Sequence, residues 1–84
     1  MWETGYRSYP CSTSEFAIKK DLKNSGYGNA EYHGHITFHR DIICKTEQEA
    51  EEKLEKMSDV CDDHAIFYKD GRRKNWLVWC SYHS

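Results

Sequence analysis

Tyr32-His33-Gly34-His35-Ile36-Thr37-Phe38-His39-Arg40-Asp41-Ile42 is the stretch on which the fold turns. Its even positions read Tyr32, Gly34, Ile36 and Phe38. Its odd positions read His33, His35, Thr37, His39 and Asp41, with Glu31 just before. Side chains alternate across a strand, so this pattern predicts a strand with one apolar face and one face bearing three imidazoles. The expectation is that Ile36 and Phe38 point at a helix ridge centred on Leu54, with the histidines turned outward.

That helix follows. Thr46 with Glu49 forms a capping-box pattern, and acids crowd the first turn, where the helix dipole favours them. Ala50, Leu54, Met57 and Cys61 recur at steps of four, three and four, one narrow apolar stripe over about 47–59. Beyond it, Ala65-Ile66-Phe67-Tyr68 and Trp76-Leu77-Val78-Trp79-Cys80 read as two strands around an Asp70-Gly71 turn signal. Ala65 and Phe67 share one hairpin face with Trp76, Val78 and Cys80. Ile66 and Tyr68 share the other with Leu77 and Trp79. Both faces are apolar, so a second element or a partner must cover the one that the helix leaves open.

Upstream, residues 1–11 read as irregular or as a short strand anchored by Trp2, Tyr6 and Tyr9 and ended by Pro10. Ser12 with Glu15 suggests another capping box, opening a short helix through Lys23 that Asn24-Ser25-Gly26 stops. Phe16, Ala17 and Leu22 are its packing candidates. The fold class is therefore α+β: one domain over residues 1–84, with an antiparallel or mixed sheet of three or more strands. The acidic helix lies on one face, in the order (α)β-α-β-β.

At 84 residues, a chain buries only about 60–65 % of the surface its unfolded form exposes. Its hydrophobic fraction is 38 %, but aromatics reach 14 %, and each can bury about 150–250 Å², which argues against disorder. The net charge of −2 hides an asymmetry: residues 41–63 hold nine acids and three bases, while residues 69–74 hold four bases and one acid. Neither pole has the broad basic face expected of a nucleic-acid binder. No apolar run approaches the roughly 18 residues of a membrane span, and Met1-Trp2-Glu3-Thr4-Gly5-Tyr6-Arg7 lacks the pattern of a signal peptide. The expected location is cytoplasmic. There Cys11, Cys44, Cys61 and Cys80 read as free thiols packed as small apolar groups.

These residues bear on three chemistries. One metal cannot bridge His33 and His39, because same-face positions lie about 6.8 Å apart and the three histidines span roughly 20 Å. A His33–His35 pair completed by His64, His83 or a cysteine is the surviving zinc arrangement. No Cys-x-x-Cys, phosphate-cradling glycine loop, Gly-x-Ser-x-Gly or His-Glu-x-x-His is present, so the chain is read as a non-enzyme with no cofactor and no assigned metal site. Arg72-Arg73-Lys74 is a basic hairpin tip. With Tyr68 and Trp79 as a stacking platform it would suit unpaired bases; as a solvated turn it would only keep an edge soluble. Trp2 and Trp76 read as core, whereas Trp79 and Tyr82 read as contact residues.

Gly34-His35-Ile36-Thr37-Phe38, then Lys45-Thr46-Glu47-Gln48-Glu49-Ala50, then the helix and hairpin, resemble small accessory proteins of phages and other mobile elements. The likeness spans about residues 32–82 and is one of class, with no functional residue to carry over. It implies a protein-binding module that inhibits a host enzyme or defence complex by occluding its surface. The expected contact set is His33, His35, His39, Tyr68 and Trp79 on the open sheet face, with Arg72 and Arg73 at its end. A protein partner ranks first, nucleic acid second and zinc third, and a homodimer is compatible with the same surface.

Overall fold

The computed structural model describes residues 2–25, 36–57 and 63–83; for residues 2–4 and 81–83 only the backbone is considered. In chain order its elements are β1 (Trp2–Pro10), α1 (Glu15–Asn24), β2 (Ile36–Cys44), α2 (Glu47–Met57), β3 (Asp63–Asp70) and β4 (Arg73–His83). The four strands form one mixed sheet in the order β1-β4-β3-β2. β4 runs antiparallel to both β1 and β3, while β2 and β3 are parallel. The protein is thus α+β, as expected, with β1 as a full strand of nine residues rather than an irregular lead.

This topology dictates where the helices go. The connection holding α1 carries the chain from one edge of the sheet to the other, and α2 then brings it back by one strand. Crossovers between parallel strands share one hand, so two that travel in opposite directions must lie on opposite faces. They do. Ile18 and Leu22 of α1 pack with Ile36, Ala65, Phe67, Trp76, Val78 and Cys80, with Tyr9 and Phe38 at the margin. Ala50 and Leu54 of α2 pack with Cys44, Ile66, Tyr68, Leu77 and Trp79, with Tyr6, Ile42 and Met57 alongside. The division of hairpin residues between two apolar faces is as the alternation requires, and α1 is the element that seals the second face.

Two expectations are corrected here. Ile36 and Phe38 do not meet Leu54; they face α1. Crossover hand puts α1 on that side, and β2 then changes its facing at a register shift, where His39 stands opposite Ile66 but Ile43 stands opposite Phe67. Three extra residues, Arg40 to Ile42, bulge between them, and the strand's facing changes across the bulge. Before it, the even positions look at α1; after it, Ile42 and Cys44 look at α2. The second correction concerns the α1 cap. It is Ser14, not Ser12, whose hydroxyl accepts from the Ala17 amide at 3.1 Å. Residues 10–13 are used in a turn closed by the Thr13 amide on the Pro10 carbonyl, 2.9 Å away.

The α2 cap follows its sequence pattern. The Glu49 amide donates to Thr46 Oγ1 at 3.1 Å, and the Glu49 carboxylate reaches back to accept from the Lys45 amide at 3.2 Å. Between β3 and β4 the turn has two central residues, Gly71 and Arg72, because Asp70 pairs with Arg73. Gly71 has φ +63° and no non-glycine residue among the described residues is left-handed, which matches the type II′ hairpin with glycine at its first central position.

Candidate functional site

Local packing decides which of the expected contact residues reach the surface. Tyr68 and Trp79 do not. They are 5 % and 6 % exposed and lie beneath α2, so the face expected to be open is covered. Tyr68 is also held from the side: its hydroxyl lies 2.6 Å from Ser8 Oγ. Helix α2 is fastened over this face by Tyr6, whose hydroxyl donates to Glu55 Oε1 at 2.9 Å and lies 3.2 Å from the Glu51 carbonyl. Burial, then the Glu55 carboxylate, pushes the Tyr6 hydroxyl pKa well above its usual value, so this donor stays protonated through the physiological range.

His39 is half-buried on the α2 side of β2, beside the bulge. Its Nε2 lies 2.9 Å from Nδ1 of His64 on β3. The ring centroids are 5.2 Å apart and the planes differ by 20°. With the facing nitrogens so close, that centroid distance describes rings meeting edge to edge in nearly one plane. His33 and His35 lie outside the described residues, as does Cys61. Arg72 and Arg73 are exposed at the hairpin tip, where they line a shallow depression with Pro10, Cys11, Lys74 and Asn75. Basic charge is therefore present at one end of the sheet, but the aromatic platform that would stack bases beside it is not.

Among the described residues two large apolar side chains stand in water instead: Phe16, 77 % exposed, and Ile43, 48 % exposed. Both lie close in sequence to one ion pair. Arg40, in the β2 bulge, binds the Glu15 carboxylate on the first turn of α1, and its guanidinium sits 5.7 Å from the Trp76 ring centroid. Lys19 of α1 lies 5.9 Å from the Phe38 ring. So α1 and β2 meet through the Arg40–Glu15 pair and the Lys19–Phe38 contact. A signal for Phe16 existed in the sequence. Ile18 and Leu22, four apart, set the inward stripe of α1, and Phe16 lies roughly 200° around the helix from Ile18. Ile43 carried no such signal, since its exposure depends on the bulge.

The cysteines divide similarly. Cys44 and Cys80 are buried free thiols, as expected, but Cys11 is an exposed one. Burial first, then the negative charge of buried Asp63, pushes the Cys80 thiol up to about 12, so it stays a neutral thiol in the folded chain near neutral pH. Its proton points at the Gly5 carbonyl of β1, 3.5 Å away. Burial also raises the Cys44 thiol. Among the described residues no group of three or more His, Cys, Asp or Glu side chains is placed to hold a metal ion. No helix among them is long and apolar enough to cross a membrane. The chain matches no protein-family model, no curated protein and no solved structure.

Proposed function

We propose that the chain is a small protein-binding module, of the kind that phages and mobile elements use to occlude a host enzyme or defence complex. Its contact surface is the β2 edge with the first turn of α1: Phe16, Arg40 and Ile43. The observation that carries this reading is the exposure of Phe16 and Ile43, the large apolar side chains among the described residues that stand in water. A well-packed small domain gains stability by burying such side chains, whereas an aromatic at a rim with arginine beside it is a common interface anchor. The outer backbone row of an edge strand also offers a partner hydrogen bonds by strand addition.

Affinity capture from host lysate tests it, with wild-type chain against the double variant Phe16→Ser, Ile43→Ser, each run with and without nuclease. The reading predicts one protein partner recovered by wild type in both nuclease conditions and lost by the double variant. A partner lost on nuclease treatment, or lost with Arg72→Ser, Arg73→Ser but retained by the double variant, would transfer the function to nucleic acid at the hairpin tip. That second reading draws on the exposed arginines alone, now that Tyr68 and Trp79 are beneath α2.

A further inference from the structure

His39 and His64 are twenty-five positions apart in the chain, on different strands, and present ring nitrogens to each other at 2.9 Å. They sit diagonally in the parallel ladder, since His39 stands opposite Ile66 and His64 opposite Thr37. His39 is also the last paired residue before the β2 bulge, where the backbone ladder lapses. A tie between side chains at this point fixes the edge strand where its backbone does not.

We infer that the His39–His64 pair is a two-imidazole site for a divalent transition cation of the zinc class. Imidazole nitrogen suits zinc, copper and nickel. Two nitrogens bound to one tetrahedral zinc lie about 3.3 Å apart, since each bond is about 2.0–2.1 Å. The nitrogens are therefore a few tenths of an ångström too close, and because the rings meet head-on each must swing by about 35° to aim its lone pair at a shared tetrahedral ion. Both rings are half-buried, so each keeps some contact with solvent, and water would complete the coordination of a bound ion. The proton balance is simple. Without metal, one ring donates its N–H to the other ring's lone pair. To bind metal, the donor ring moves that proton to its outer nitrogen. His39 Nε2 and His64 Nδ1 then both offer lone pairs, while His39 Nδ1 and His64 Nε2 carry the protons. No net proton leaves a neutral pair. The cation replaces a hydrogen bond with a stronger clip between β2 and β3. This site differs from the zinc arrangement suggested by the sequence, because its first partner for His64 is His39 rather than His33 or His35.

The test is titration of the purified full chain with zinc chloride, followed by calorimetry and by ring-nitrogen NMR. Wild type should bind zinc, and the His39 and His64 ring nitrogens should shift together. His39→Gln and His64→Gln keep a hydrogen-bonding group but remove the ligand, and each should weaken binding by about tenfold or more. Unchanged affinity in either glutamine variant overturns the inference. So does a wild-type spectrum in which other histidines respond and these two do not, a readout that needs no variant to fold.

Discussion

The hydroxyl of Tyr68 on β3 lies 2.6 Å from the hydroxyl of Ser8 on β1, although β4 runs between those strands. The bond passes over β4 on the α2 side, where Ser8 stands opposite Leu77 and Tyr68 opposite Asn75. It holds the tyrosine ring in the cluster beneath the helix and joins the two strands that flank β4.

Removing that bond from either side should therefore have similar effects. Tyr68→Phe and Ser8→Ala should each lower unfolding free energy by about 1 kcal/mol, and the double variant by little more than one of them. Urea unfolding of the four chains measures the coupling. Fully additive losses would mean that the two hydroxyls do not share a bond.

Trp79 separates the two views of this sheet face. On an open face, Trp79→Ala would leave stability nearly unchanged. Beneath α2, in contact with the cluster of Leu54 and Ile66, the same change should cost about 3–5 kcal/mol and leave a cavity. Thermal or urea unfolding reads the difference directly. Phe16→Ser, on the exposed side of α1, is the contrasting case and should shift stability by no more than about 0.5 kcal/mol.

Alkaline pH should weaken the fold in a way traceable to Cys80. Its thiol is held protonated in the folded chain up to about 12, against an ordinary value of 9.0. Between those values the unfolded chain has lost the proton and the folded chain keeps it. Stability is thus fully present below the unfolded pKa and falls as pH rises toward the folded one. From pH about 9 to about 11 the expected loss from this group is about 2 kcal/mol. Tyr6, Tyr9 and Cys44 are shifted the same way and add to the slope. Comparing wild type with Cys80→Ala, each relative to its own stability at neutral pH, isolates the thiol. An identical slope in both chains would contradict its assignment.

Local signals made much of the architecture legible. Thr46 with Glu49 located the start of α2, Ala50 and Leu54 its buried stripe, and Asp70-Gly71 the hairpin turn. Alternation in 65–68 and 76–80 divided those residues correctly between two apolar faces. What escaped the sequence was non-local. Which helix covers which face follows from strand order and crossover hand, and strand order depends on β1 pairing with β4, from opposite ends of the chain. The β2 bulge escaped as well: Arg40 interrupts the apolar even positions, but a single interruption does not reveal three extra residues. Those two features moved the candidate contact surface from the α2 face, where Tyr68 and Trp79 are buried, to the β2 edge with Phe16 and Ile43. Arg72 and Arg73 remain exposed, as a turn predicts. The Ser14 cap was displaced from Ser12 only because the Pro10–Thr13 turn uses the intervening residues.

Helices on opposite faces of the sheet are what bury Tyr68 and Trp79 and leave the β2 edge as the proposed contact surface. A side-chain NOESY spectrum of the isolated chain tests this most directly. The Leu54 methyl groups should show contacts to the aromatic protons of Tyr68 or Trp79, and the Ile18 methyl groups to those of Trp76 or Phe67. Contacts from Leu54 to Ile36 and Phe38, with Trp79 free of helix contacts, would put α2 on the other face and reopen the surface that this fold closes.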